Sequence, residues 1–256
     1  MTVGDLYAEI DQIAPFASQE EWDNSGLLIG SACDPVSGVL FALDITQPVV
    51  TEALSLGVSV IVTHHPMMFS PRRRITDDDM EGKLIQLLVR NKISLISAHT
   101  NLDRAPGGTN DTLASLCGLT SVSGDNFFRS GFLSDTFCTE SYADMLSESL
   151  RCTVRIMGPS TRMIRHVGIS SGGGGEFWNE AAAARCDAFV TGEMKHHHAL
   201  AAADSGIVVF ECGHYATEAP GIRSLSESLQ KTVNKLKCNV RIFVSEIPAY
   251  SFSQQS

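Results

Sequence analysis

The sequence predicts an α/β protein, because short apolar runs of strand length alternate with helical segments along most of the chain. The clearest run covers residues 60–63, whose β-branched side chains lead directly into His64, His65 and Pro66. Pro66 cannot donate to a strand ladder and disfavours helix before it, so the chain must turn there. This alternation of strands and helices is typical of largely parallel sheets.

The first half of the chain is predicted to contain alternating helices and strands and one loop that carries Asp103. Leu6, Ile10 and Ile13 have helical spacing within residues 3–13, and Pro15 ends that helix. Further helices are predicted at 48–56, where Gly57 provides the C-terminal glycine, and at 80–91 and 110–117. Residues 22–30 are interpreted as a turn followed by a short strand, and further strands are predicted at 39–43, 60–63 and 93–98. The segment around Asp103 is interpreted as a loop.

In the second half, residues 127–139 are interpreted as sheet, with later strands at 154–157, 166–170, 187–190, 207–210 and 240–244. Helices are predicted at 142–150, 176–184 and 225–236. His99 and Asp103 are four residues apart, as are His214 and Glu218, which suggests two related halves. We expect a metal-binding domain formed by 1–125 with 207–256, and a smaller α/β domain at 126–206.

Composition narrows the class of protein. The net charge of −10 opposes non-specific nucleic-acid binding, which depends on phosphate neutralisation by Lys and Arg. Seven scattered cysteines, the absence of a signal-like N-terminus and the lack of a long apolar run lead us to expect a cytoplasmic protein. The basic run 72–74 is followed by acidic residues 77–79, so it is either a self-compensating loop or an anion site.

Side chains that can bind metal, from His, Asp or Glu, follow directly after four of the predicted apolar strands. Ligands of open α/β sheets lie outside the carboxyl ends of strands, so these ends are the expected site. The side chains that we expect to bind metal are His64, His65, Asp103, His214 and Glu218. Such nitrogen and oxygen donors suit zinc, manganese, iron, cobalt or nickel better than calcium. Because five side chains exceed the needs of one tetrahedral ion, we expect two ions about 3.5–4 Å apart.

Two other features have alternative interpretations. His99 is either a group beside the ligands or one that contacts substrate, and we take it as the candidate catalytic proton carrier. Residues 172–175 are four consecutive glycines after a strand, which either cradle a phosphate through backbone N–H groups or form a tight turn.

The combined motifs resemble the Nif-three-like family, whose members often carry the label GTP cyclohydrolase 1 type 2 homolog. The resemblance rests on the motifs at residues 22–27, 63–66, 97–103, 107–111, 191–193 and 213–218. It implies two related α/β domains with mixed, largely parallel sheets that face a shared metal cleft. It also implies a dinuclear centre bound by the five side chains named above, with Glu218 bridging, and a toroidal homohexamer.

These observations favour a metal-dependent hydrolase that acts on a nucleotide-like or phosphate-bearing small molecule. We expect two divalent ions, with zinc, iron or manganese favoured. The alternative is a non-catalytic metal chaperone, store or sensor, suggested by the surplus of histidines. The expected partners are further copies of this chain and an unknown small-molecule substrate. We expect neither nucleic acid nor a membrane as a partner.

Overall fold

The computed structural model describes residues 1–247 and divides the chain into two units. The first unit consists of Met1–Ala105 and the described part of Ile222–Ser256, and the second unit is Pro106–Gly221.

The first unit is an α/β layer structure. Its helices are α1 (Val3–Ile13), α2 (Gln47–Leu56), α3 (Met80–Arg90) and α4 (Thr100–Arg104). Its strands are β1 (Gly26–Ile29), β2 (Gly38–Ala42), β3 (Val60–Thr63), β4 (Ser94–Ser97) and β11 (Arg241–Val244). Local signals explain the helix ends: Thr2 and Asp5 form a reciprocal capping box on α1, and Gly57 ends α2 at a φ of 64°.

The sheet of the first unit has the order β1-β4-β3-β2-β11, with only β1 antiparallel to its neighbour. Alternate residues of β2 face opposite sides: Val39 and Phe41 join a core cluster with α1, whereas Leu40 and Ala42 join a second cluster with α2 and α3. Because both faces are covered, β2, β3 and β4 are buried along their whole length and are mostly apolar, as parallel strands usually are.

The second unit contains a six-stranded mixed sheet. Its strands are β5 (Thr120–Ser123), β6 (Arg129–Cys138), β7 (Arg155–Met157), β8 (Met163–Ser170), β9 (Ala188–Thr191) and β10 (Val208–Glu211), in the order β5-β6-β8-β9-β10-β7. Its helices are α5 (Thr109–Leu116), α6 (Thr139–Leu150), α7 (Trp178–Ala183) and α8 (His196–Asp204). Strands β8, β9 and β10 are parallel, and α5 and α6 cover one face while α7 and α8 cover the other.

The two units repeat one topology. In each, three parallel strands lie in chain order, β2-β3-β4 or β8-β9-β10, with helices between them. In each, an earlier strand, β1 or β7, pairs antiparallel with the third parallel strand. The predicted fold class of two related α/β domains with mixed sheets is therefore confirmed, although antiparallel pairs make up more of the second sheet than expected.

The unit boundaries differ from those predicted. Residues 106–125 and 207–221 belong to the second unit, because α5 packs into its core and β10 pairs with β9 inside its sheet. The predicted first domain ended at residue 256, and residues 248–256 lie outside the described part.

Two element predictions also need correction. Asp103 lies on the short helix α4, not in a loop. Helix α9 (His214–Lys235) begins eleven residues before the predicted start at Leu225 and contains Pro220. Burial explains the longer helix, because Thr217, Glu218 and Gly221 are all buried along its first two turns.

Candidate metal centre

The end of β3 presents two adjacent histidines in a fixed turn. The Thr63 hydroxyl donates to the His65 carbonyl at 2.9 Å, and the His65 N–H donates to the Leu43 carbonyl at 3.0 Å. The His64 N–H also reaches the Leu43 carbonyl at 3.2 Å. These bonds turn the chain immediately after the strand, so His64 and His65 both extend from the carboxyl edge of the sheet.

Three imidazoles of the first unit share one anchoring pattern, in which Nδ1 faces an oxygen that can only accept. The Nδ1-to-oxygen distances are 2.8 Å for His64 to the Ala98 carbonyl, 2.7 Å for His65 to Asp44 and 2.8 Å for His99 to Asp23. Each Nδ1 therefore carries the proton, and in the neutral ring the Nε2 atom carries the lone pair. Metal-binding histidines use the same arrangement, because the bond at one nitrogen fixes the tautomer at the other.

The three rings lie together. One ligand nitrogen from each of His64, His65 and His99 lies within 4.8 Å of the others. Asp103 contributes a carboxylate, with Oδ1 3.5 Å from His64 Nε2. His64 is fully buried, and Asp103 is nearly so. This donor set of imidazole nitrogens and a carboxylate fits a divalent transition metal.

Asp23 holds the His99 ring in place through the hydrogen bond to Nδ1. Its side chain is completely buried, and it accepts hydrogen bonds from the Asn24 N–H at 2.7 Å, the Ser25 hydroxyl at 3.1 Å and both the N–H and hydroxyl of Thr100. Burial alone would raise the pKa of Asp23, but the hydrogen bonds from His99 and Thr100 outweigh it and lower the pKa below its usual value. Asp23 is therefore a charged anchor for the His99 ring.

The second unit joins the other two predicted ligands on one helix. His214 is the first residue of α9, and its Nε2 lies 2.9 Å from Glu218 Oε2 one turn later. Glu193, two residues after the end of β9, approaches His214 Nδ1 at 3.3 Å. Glu218 is buried. The pair offers one imidazole and one carboxylate in a fixed relation.

Bare backbone surrounds this pair. A Cβ atom on Gly172 would lie 1.8 Å from Glu218 Oε1 and 3.2 Å from His214 Nε2. A Cβ atom on Gly192 would lie 2.7 Å from the Thr217 hydroxyl. Glycine is therefore required at both positions for α9 to approach the ends of β8 and β9.

The strand registers show which residues of the two units are at equivalent positions. The last residues of the three parallel strands form one row in each unit, Ala42, Thr63 and Ser97 in the first and Ser170, Thr191 and Glu211 in the second. Counting onward from these rows, His99 corresponds to Gly213 and Asp103 to Thr217. The sequence repeat had matched His99 with His214 and Asp103 with Glu218. The strand registers shift this correspondence by one residue.

The structure thus brings His64, His65, Asp103 and His99 together in the first unit, and His214 with Glu218 in the second. Sequence reasoning missed two anchoring residues, Asp23 and Asp44. Asp44 follows the apolar strand β2 just as His64 follows β3, so the same signal was present there.

Both possible phosphate sites have structural roles. Arg72 pairs with Asp79 and Glu81, which confirms a self-compensating loop at this arginine. In the glycine run, the Gly172 N–H donates to the Thr217 hydroxyl at 3.1 Å and the Gly174 N–H to the Ser171 carbonyl at 3.0 Å. These bonds, followed by a 3₁₀ turn at Gly174–Phe177, match the tight-turn interpretation.

Comparison with known proteins agrees with this fold. The family model described as Duf34/NIF3 (NGG1p interacting factor 3) matches residues 1–249. A Clostridium acetobutylicum protein named GTP cyclohydrolase 1 type 2 homolog is 31% identical over 265 residues, covering 98% of this chain and 99% of that protein. The Drosophila melanogaster NIF3-like protein 1 is 29% identical, covering 93% of this chain and 84% of that protein. A crystal structure of a Staphylococcus aureus protein has a TM-score of 0.92 at 28% identity, covering 99% of both chains.

This chain belongs to the Duf34/NIF3 family, and its first unit carries a histidine group that could hold a metal ion. Within residues 1–247, no helix has both the length and the apolar character needed to cross a membrane.

Proposed function

We propose that this protein is a metal-dependent hydrolase that binds two divalent ions and acts on a nucleotide-like or phosphate-bearing small molecule. The observation that carries the proposal is the common anchoring of His64, His65 and His99, each through Nδ1 to an oxygen acceptor. A histidine with only a structural role does not need its Nδ1 to be fixed in the same way as in two neighbouring rings. The names of the bacterial relatives support a nucleotide-like substrate.

The residues that would hold the ions are His64, His65, Asp103, His214 and Glu218. Their nitrogen and oxygen donors favour zinc, iron or manganese. When bound, such a pair of ions would supply an activated water and a Lewis acid toward the scissile group. The chain's own residues orient the imidazoles of His64 and His65, through the carbonyl of Ala98 and the carboxylate of Asp44.

His99 is the proposed proton carrier. Its Nδ1 is committed to the buried carboxylate of Asp23, so proton exchange with substrate takes place at Nε2. The ring centroid lies 5.1 Å from that of His64, so the ring lies beside the proposed ligand group. Asp23 acts through His99 as a positioning residue.

We also propose that the protein works in the cytoplasm as a toroidal homohexamer without nucleic acid. The net charge of −10 supports the absence of nucleic acid. Light scattering coupled to gel filtration tests the assembly, with an expected mass of roughly six times the 27.6 kDa chain. A monomeric mass at micromolar concentration would contradict it.

Metal content per chain tests the main proposal. Protein purified without chelator or nickel resin should contain about two ions per chain. The Glu218→Ala variant should lose most of this metal, whereas Glu227→Ala, an exposed glutamate on the same helix, should retain it. Protein that holds no metal after incubation with zinc, iron or manganese would refute the proposal.

Activity separates the two functional classes. Loaded wild-type protein should hydrolyse at least one member of a nucleotide and phosphate-ester panel, and His99→Ala should lower turnover by 10²–10⁴-fold when the two proteins are compared at equal metal content. Full metal loading with no turnover on such a panel, together with reversible release to a competing chelator, would instead favour the metal chaperone or store.

A further inference from the structure

Two large aromatic side chains of the first unit are exposed next to each other. Trp22 is 59% exposed and Phe69 is 50% exposed. Their ring centroids lie 5.8 Å apart with an interplanar angle of 29°, so the rings stack while much of their surface stays in water. Scattered apolar residues on a surface need no explanation, but a contiguous aromatic pair marks a candidate binding surface.

The aromatic pair continues the histidine group. His99 meets Trp22 edge-on at 6.1 Å and Phe69 edge-on at 5.8 Å between ring centroids. The His99 ring also lies next to His64 and His65, with ring centroids 5.1 and 5.7 Å away. A molecule lying on the two aromatic rings would therefore extend directly toward the proposed proton carrier and metal ligands.

The pair is held in place by a hydrogen-bonded link between two loops. Asn24, two residues after Trp22, donates from Nδ2 to the Met67 carbonyl at 3.3 Å and to the Met68 carbonyl at 3.0 Å. These carbonyls directly precede Phe69. Asn24 thus fixes the loop that carries Trp22 to the loop that carries Phe69.

The Phe69 loop is built at a conformational cost. Met68 has a φ of 60°, in the left-handed region that residues other than glycine rarely adopt. Its N–H donates to Glu81 Oε1 at 2.8 Å, and the same carboxylate pairs with Arg72. Strained backbone held by such bonds is found mainly at binding and catalytic sites. The loop therefore has the character of a preformed binding element.

We propose that Trp22 and Phe69 form a stacking platform for a flat heteroaromatic ring of the substrate, with the rest of that molecule directed toward His99. Aromatic side chains stack well on heterocyclic bases because every such ring offers a π face. This assignment rests on the proposed function, since it names the substrate class of the same site. The motif at residues 22–24 then has three roles, in which Trp22 stacks, Asp23 orients His99 and Asn24 fixes the Phe69 loop.

Tryptophan fluorescence tests the platform, because the chain contains only two tryptophans, Trp22 and Trp178. The Trp178→Phe variant reports Trp22 alone, and the Trp22→Leu variant reports Trp178 alone. The probes are guanosine 5′-monophosphate and ribose 5-phosphate, which differ by the heteroaromatic ring. Guanosine 5′-monophosphate should quench Trp22 in a saturable manner, whereas ribose 5-phosphate should not. Neither probe should give saturable quenching of Trp178.

Substitution of Phe69 sharpens the test. In the Trp178→Phe background, Phe69→Ala should raise the dissociation constant of guanosine 5′-monophosphate about tenfold, and Phe69→Tyr should restore it to within about twofold. Phe132→Ala is the matched control, because Phe132 is 45% exposed and stacks on His166 at 4.4 Å in the second unit. This control should leave the dissociation constant unchanged.

Different outcomes separate the platform from the proposed function. Equal quenching by both probes, or a dissociation constant unaffected by Phe69→Ala, would overturn the platform. Full metal loading without ring-dependent binding would overturn the platform and leave the metal-dependent hydrolase intact. Ring-dependent binding in protein that takes up no metal would support the platform and refute the hydrolase.

Discussion

The two units build the same three-stranded parallel motif but end its strands with opposite kinds of residue. At one corresponding position beyond each of the three strands, the first unit has a charged or imidazole side chain and the second has glycine. The corresponding pairs are Asp44 and Gly172, His64 and Gly192, and His99 and Gly213.

The two units therefore present the proposed ligands in two ways. In the first unit, the strand ends themselves carry His64 and His65, and Asp44 anchors His65. In the second unit, the proposed ligands lie on the helix α9, and Gly172 and Gly192 beyond the strands leave room for this helix to approach. The close approach of Glu218 to Gly172 is the clearest instance.

The largest expected effect comes from breaking the glycine side of the comparison. Gly172→Ala would place a methyl group 1.8 Å from Glu218 Oε1 at a φ of 55°, which combines a steric clash with an unfavourable backbone conformation. We expect a loss of about 2–4 kcal/mol in the free energy of unfolding, measured by urea denaturation.

Two other glycines provide graded controls. Gly213 has a φ of 84° but nothing within 4 Å of an added Cβ, so Gly213→Ala should cost only about 1 kcal/mol. Gly173 has a φ of −75° and open space, so Gly173→Ala should change stability by less than about 0.5 kcal/mol. Equal effects at all three positions would show that close approach of α9 is not the reason for the glycines.

A second prediction addresses the carboxylate that the second unit lacks. Asp44→Ala removes the acceptor of His65 Nδ1, so the ring loses both its fixed tautomer and its orientation. Because such supporting partners typically contribute 10–100-fold, we expect metal affinity to fall by about that factor in competition with a chelating dye. The exposed Asp34→Ala should bind metal as wild type does. An unchanged affinity in Asp44→Ala would remove Asp44 from the site.

The third and smallest effect concerns the buried anchor of His99. The pKa of Asp23 is lower in the folded chain than its unfolded value of ~3.9, so its charge stabilises the fold above about pH 4. This contribution is lost as the pH falls toward the folded pKa. Asp23→Asn should therefore be about 1–3 kcal/mol less stable than wild type at pH 7. The difference should narrow progressively below pH 4, as followed by urea unfolding across pH. A difference that stays constant with pH would contradict a charged Asp23.

Much of this fold could be predicted because local and global signals agree. The run 60–63 is apolar, ends at His64 and His65, and forms β3 with those boundaries. Helix α2 ends at Gly57 as its sequence indicates. The start of α9 could not be predicted, because Pro220 and Gly221 are weak helix formers and only tertiary burial of Thr217 and Glu218 compensates.

In the candidate site too, some features could be predicted from local sequence and others depend on tertiary contacts. Histidines after apolar strands are visible in the sequence, but the partners of their Nδ1 atoms depend on contacts across the fold. Asp23 lies 76 residues from His99, and the Ala98 carbonyl lies 34 residues from His64. Periodicity carries no information on such distant pairs, so the anchors emerge only from the structure.

The anchoring of the imidazoles has a consequence for the thermodynamics of metal uptake. Because Nδ1 bonds already restrict the rotation of His64, His65 and His99, binding an ion costs these side chains little further conformational entropy. The first unit also has two large buried clusters of apolar side chains that do not include the proposed ligands. We therefore expect the chain to keep its fold when its proposed metal site is emptied with a chelator, unlike small zinc domains that unfold.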